Sequence, residues 1–153
     1  MYLFISNHAM TQHNFELTES EWKILNVVWT KQPCAAPDVQ EALEPETHWS
    51  YSTVRTFMDR MVQKGLLRSE KLRNLTLFKP ALTREQAQAS ELRYSLKNAF
   101  NGAPAPLVQC LLDASSVSLS ELDEIEALLK SKRKALKTNH PTSPGSNDSR
   151  RHP

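Results

Sequence analysis

Trp49-Ser50-Tyr51-Ser52-Thr53-Val54-Arg55-Thr56-Phe57-Met58-Asp59-Arg60-Met61-Val62-Gln63-Lys64-Gly65 is the stretch around which the rest of the chain is organised. Val54, Phe57, Met58, Met61 and Val62 recur at the spacing that gives an α-helix one continuous apolar face. A rotation of about 100° per residue puts Ser52, Thr56, Asp59 and Gln63 on the opposite face, flanked by Thr53, Arg55 and Arg60. Ser50 is placed to cap this helix and Gly65 to stop it, which predicts about four turns. Short hydroxyls in the first turn followed by two arginines suit a helix whose N-terminal end lies close to another surface. Taken alone, the stretch is a candidate DNA recognition helix.

Upstream, Thr18-Glu19-Ser20-Glu21 has the pattern of a capping box, with Leu17 and Trp22 placed as a hydrophobic staple around it. It predicts a helix to about Lys31 that turns Trp22, Leu25, Val28 and Trp29 inward and ends before Gln32-Pro33. Two tryptophans one heptad apart suggest a ligand box, but large aromatics at helical spacing are core far more often. Pro37 suits the first position of a second, short helix with Val39, Ala42 and Leu43 facing in, closed by Glu44-Pro45. Cys34, at the junction of the two, reads as a small semi-buried apolar residue.

Downstream of Gly65 the period changes. Leu66 to Leu72 and Leu75 to Pro80 are short, partly alternating runs separated by Arg73-Asn74, a small hairpin with Asn at the turn. Three helices followed by a two-stranded ribbon predict a mainly α protein with a winged helix-turn-helix domain over residues 15–81. The charge distribution agrees with that placement. Across the chain 19 Lys+Arg nearly balance 17 Asp+Glu, but the balance is not local. From Phe15 to Trp49 the acids Glu16, Glu19, Glu21, Asp38, Glu41, Glu44 and Glu46 face only Lys23 and Lys31. From Ser50 to Lys79 the bases Arg55, Arg60, Lys64, Arg68, Lys71, Arg73 and Lys79 face only Asp59 and Glu70. Positive charge gathers where the candidate helix lies, as binding to a polyanion requires.

Residues 82–136 read as a helical region. Thr83-Arg84-Glu85-Gln86 is a second capping pattern, opening a helix with Ala89, Leu92, Leu96 and Phe100 on one stripe, which Asn101-Gly102-Ala103-Pro104 breaks. A short apolar helix with Leu107, Val108, Leu111 and Leu112 follows. Ser118-Leu119-Ser120-Glu121 then caps a last helix whose Leu122, Ile125, Leu129 and Leu136 form a heptad-like seam. Three short amphipathic helices after a complete small domain cannot form much core alone, so a homodimer is expected, with Leu107, Leu111, Leu122, Ile125 and Leu129 in the contact. The bases Lys130, Lys132, Arg133, Lys134 and Lys137 invite a second nucleic-acid reading, but the solvated end of that helix is the simpler account. Residues 137–153 lack periodicity and are expected to be a disordered tail, and residues 1–14 a flexible extension.

An enzyme is not expected. His8, His13, His48, His140 and His152 fall in termini or a loop, three glycines leave no phosphate cradle, and no His/Cys/acid cluster has triad or ligand spacing. No metal and no cofactor is therefore expected either. Cys34 and Cys110 are too few and too far apart for a disulfide framework, and a reducing cytoplasm is the simpler setting. Met1 to Ile5 is too short for a signal sequence, and no apolar run approaches the ~20 residues of a membrane span, so no membrane partner is expected.

With these elements placed, the chain resembles the penicillinase-repressor family, the BlaI/MecI/CopY group of bacterial winged-helix repressors. The resemblance is carried by Leu17-Thr18-Glu19-Ser20-Glu21-Trp22 and Val28-Trp29, then by Trp49-Ser50, Thr53-Val54-Arg55-Thr56, Arg60-Met61-Val62 and Lys64-Gly65-Leu66. Phe78-Lys79-Pro80 and Asp123-Glu124-Ile125-Glu126-Ala127-Leu128 extend it. It implies a homodimer that binds double-stranded DNA at a two-fold operator and blocks transcription. On that reading the second helix braces the DNA backbone while the start of the third enters the major groove. Ser50 caps that helix at the DNA, Ser52, Thr53 and Thr56 reach base edges or phosphates, and Arg55 is the first candidate for a base contact. Arg60 and the wing residues Arg68, Lys71 and Arg73 are phosphate contacts that position without specifying.

The chain also departs from the family. Members of the β-lactam response are cleaved at an Asn-Phe bond where this chain reads Cys110-Leu111. Copper-responsive members carry paired Cys-x-Cys motifs near a C-terminus that here holds no cysteine. A basic residue is frequent where Ser52 stands, a difference that bears on operator preference. A regulatory protease or another effector stays open as a further partner. The competing reading is a winged-helix module that binds another protein and has no operator of its own.

Overall fold

The computed structural model describes residues 16–139. The expected extension at residues 1–14 and most of the expected tail, residues 140–153, lie outside the described residues, with His8, His13, His140 and His152. Contacts divide the chain into two compact units meeting at Pro104-Ala105. Among the described residues there are six helices and a small antiparallel sheet.

The first unit opens with α1 (Glu19–Lys31). The capping box forms as the sequence predicts, with the Glu21 backbone N–H donating to Thr18 Oγ1 at 3.2 Å and the Thr18 N–H to Glu21 Oε2 at 2.9 Å. Ile24, Leu25 and Val28 have no exposed surface. Trp22 and Trp29 are half-buried at the edge of the core, 6.1 Å apart and tilted. Two residues, Cys34 and Ala35, form β1, too short for any periodicity to announce. α2 (Ala36–Thr47) starts with Asp38 accepting from the Ala35 N–H at 2.7 Å.

Glu44-Pro45 does not close α2. The helix continues through Pro45 to Thr47, and His48, at φ 52°, provides the left-handed stop. The physical reason is position. A proline in the last turn removes one backbone bond, and the end is tied otherwise, by the His48 N–H to Glu44 O at 2.9 Å and the Thr47 hydroxyl to Leu43 O at 2.8 Å. Ala42, expected inside, is exposed, while Val39 and Leu43 are buried.

After a three-residue turn comes α3 (Tyr51–Gln63), with Val54, Met58 and Met61 buried. Trp49 packs edge-on against Phe57 at 5.1 Å, and Gln40 Nε2 donates to Trp49 O at 3.3 Å, which fixes the turn between the two helices. The chain reverses at Gly65, whose φ of 78° favours glycine. β2 (Leu67–Leu72) and β3 (Leu75–Pro80) form the ribbon. β3 lies between β2 and β1, with Ser69 and Cys34 both opposite Phe78. The positive φ of the hairpin turn falls on Arg73, at 56°, and not on Asn74. Phe78 has no exposed surface and joins the sheet to the helical core.

α4 (Arg84–Ala99) opens on the predicted Thr83–Gln86 capping box. Its first turn is held to α1: Trp29 Nε1 donates to Leu82 O at 3.0 Å, and the Arg84 guanidinium lies 4.8 Å over the Trp29 ring. The buried face of α4 is Ala87 and Ser90, not the predicted stripe, whose Leu92 is exposed and whose Ala89, Leu96 and Phe100 are half-buried.

α5 (Pro104–Ala114) and α6 (Leu119–Thr138) have no buried residue. The Ser118–Glu121 capping box forms as expected, and α6 runs to Thr138, past the helix end anticipated at Leu136.

Candidate nucleic-acid interface

α3 starts on a cluster of hydroxyls because its sequence places four of them within the first turn and a half. Ser50 Oγ accepts from the Thr53 N–H at 3.2 Å and lies 2.9 Å from both Ser52 Oγ and Thr53 Oγ1. The Thr56 hydroxyl donates to Ser52 O at 2.8 Å. These groups therefore stabilise the helix start in the unbound chain, and Ser50, Ser52 and Thr56 remain exposed while Thr53 is half-buried. No acid stands in the first turn. Unpaired backbone N–H groups and the positive end of the helix dipole thus meet solvent with no neighbouring carboxylate in that turn.

Arg55 sits at the border of this face. Its Nε donates to both carboxylate oxygens of Asp59, one turn on, at 3.2 and 3.1 Å, and its Cζ lies 5.4 Å over the Phe78 ring of β3. The Asp59 carboxylate, and to a smaller extent Tyr51, raise the guanidinium pKa above its ordinary value. Among the α3 residues expected to touch DNA, Arg55 is thus the one that the structure brings against the sheet. Arg60, exposed near the end of α3, makes no ion pair with a described residue; nor do Arg68, Lys71 and Arg73 in the ribbon, all exposed. Lys79 does, at 4.0 Å from Glu70.

Two contacts escaped the sequence. Lys64, at the end of α3, donates to Glu21 Oε1, so one carboxylate serves both the cap of α1 and the foot of α3. The second is Arg55–Asp59: the sequence places Asp59 on the polar face of the helix, and the structure pairs it with Arg55. The four-residue spacing to Arg55 was the available signal, since such pairs meet on a helix surface.

The expected dimer residues lie in the second unit. Leu111, Leu122 and Leu129 are 52%, 39% and 61% exposed, and Leu107 and Ile125 are half-buried. Cys34 is buried in the core and Cys110 is exposed on α5. Burial raises the pKa of the Cys34 thiol. No group of three His, Cys, Asp or Glu among the described residues is placed to hold a metal ion. No described helix is long and apolar enough to cross a membrane.

Three helices followed by a β-ribbon, with an exposed, acid-free start to the third helix, define a winged helix-turn-helix protein. The model of the penicillinase repressor family matches residues 17–131, and the chain belongs to that family, whose members are DNA-binding transcriptional repressors. It is 24% identical over 80% of its length to an uncharacterised 16.5 kDa protein of Latilactobacillus sakei, covering 84% of it. It is 21% identical to the methicillin resistance regulatory protein MecI of Staphylococcus aureus, over 80% of this chain and all of that one. Among solved structures, monomeric BlaI of Bacillus licheniformis in complex with the blaP half-operator matches 47% of this chain and 88% of its own, at 21% identity and a TM-score of 0.42.

Proposed function

We propose that the protein is a sequence-specific repressor that binds a two-fold operator as a homodimer in the bacterial cytoplasm. The observation that carries this reading is the set of four basic side chains, Arg60, Arg68, Lys71 and Arg73, all exposed and none in an ion pair with a described residue, in the same unit as the exposed start of α3. Charges left without internal partners are available to phosphates, and each phosphate neutralised releases counterions and steepens the salt dependence. The first turn of α3 enters the major groove, with Ser52, Thr53 and Thr56 at base edges or phosphates and Ser50 at the capped end. Arg55 reads a base, and the four free bases hold the backbone on either side.

Pairing through Leu107, Leu111, Leu122, Ile125 and Leu129 would set two copies on half-sites about one helical turn apart, or a multiple of it. Support for the pairing is the exposure of Leu111, Leu122 and Leu129, on helices with no fully buried residue. Occupancy of the operator then excludes polymerase without any chemistry. Selection of bound duplexes from a random pool tests the whole reading: a two-fold motif is the expected result. Failure to enrich any sequence would overturn it and favour a winged-helix module that binds protein.

A further inference from the structure

Tyr51, Arg55 and Asp59 follow one another at four-residue intervals and so stand in a row along α3. Asp59 is the only acid in α3, and its side chain is half exposed on the polar face. An acid there is costly for a helix that approaches phosphates, because it repels them. Its partner explains what is gained. Both Asp59 oxygens accept from Arg55 Nε, and the guanidinium rests over Phe78.

The consequence depends on which donors are taken. A guanidinium has five N–H groups, and a base edge such as that of guanine is read end-on by two of them. Asp59 is met by Nε alone, so its contact does not use the two terminal nitrogens that would read such an edge. A phosphate, in contrast, accepts from a guanidinium in many orientations, but the negative charge of Asp59 beside this guanidinium opposes its approach. We propose that Asp59 is a positioning residue that sets sequence selectivity: it holds Arg55 for a base edge and withdraws the same guanidinium from phosphate contacts on arbitrary DNA. This rests on the reading of α3 as the DNA-facing helix.

The test compares a duplex selected from a random pool by the unaltered protein with an unrelated duplex of equal length, over a range of salt. Asp59→Asn should bind the unrelated duplex roughly tenfold more tightly at low salt, with a salt slope steeper by about one, and change the selected duplex by less than about threefold. Asp59→Ala, which removes the acceptor as well as the charge, should widen that difference. In an Arg55→Met background, where the aliphatic stem still covers Phe78, Asp59→Asn should shift both duplexes alike. Equal shifts with Arg55 intact, or a difference that survives Arg55→Met, would overturn the role of Asp59 while leaving the repressor reading standing. If the unaltered protein selects no duplex, the repressor reading falls and the role of Asp59 falls with it.

Discussion

The two units carry similar apolar stripes and do opposite things with them. In the first, Ile24, Leu25 and Val28 of α1 meet Val39, Val54, Met58, Met61 and Phe78 and have essentially no exposed surface. In the second, α5 and α6 bury no residue, and Leu119, Leu128, Leu129 and Leu136 are all more than half exposed. Stripe spacing tells that a helix needs an apolar partner; it does not tell whether that partner belongs to the same chain. The first unit closes its own core. The second holds apolar surface of a kind that a helix stable in water covers with something.

The sharpest way to break this contrast is to cut each stripe in turn. Leu25→Ala should cost about 2–5 kcal/mol in denaturant unfolding, because it opens a cavity in a packed core. A loss below about 1 kcal/mol would mean that the first unit is not self-supporting in the way described. Leu122→Asp should leave the first unit folded and weaken self-association by ~2–4 kcal/mol, read by sedimentation over a range of concentrations. Unchanged association would take the second unit's stripe out of any contact between copies.

Smaller effects sharpen the division of labour. Arg55→Ala should lose ~1–3 kcal/mol on the selected duplex and relax its sequence preference, whereas Lys71→Ala should bring a milder loss that is uniform across sequences. Neither should alter sedimentation. The smallest effect is a pH response of the second unit. The Ser118 backbone N–H, and then its hydroxyl, hold the Glu121 carboxyl below the ordinary glutamate pKa of 4.5. A carboxyl depressed in the folded state stabilises above 4.5, and that contribution is lost as the pH falls from 4.5 through the lower folded value. Helicity of the second unit should therefore decline slightly in that window, and Glu121→Gln should flatten the response.

Most of the first unit was legible because its signals are local. The Thr18, Ser50 and Thr83 caps, the hairpin at Arg73-Asn74 and the inward face of α3 are each set by residues within a turn or two, as is the Ser118 cap in the second unit. What escaped depends on distant partners. β1 exists because Phe78 and Leu77, more than forty residues on, offer it an edge. The buried face of α4 turns to Ala87 and Ser90 because α1 receives its first turn through Trp29 and Arg84, and no spacing within α4 announces that. Pro45 misled for a different reason: a strong breaker is weak where few bonds are left to break. In the candidate interface, the residue types and their face were readable, but not the engagement of Arg55 by Asp59 and Phe78, which changes how that arginine can be used.

Glu21 gives the molecule an economy with a cost. One of its oxygens closes the first turn of α1 and the other receives Lys64 at the end of α3, so a single side chain answers to two elements through a contact that spans 43 positions. Position 21 is consequently poor ground for drift. Glutamine keeps an acceptor for the cap but surrenders the charge that Lys64 meets; aspartate keeps the charge but is one methylene shorter for both tasks. A change that suits one helix unsettles the other, so substitutions at 21 and 64 are expected to be tolerated together more readily than apart.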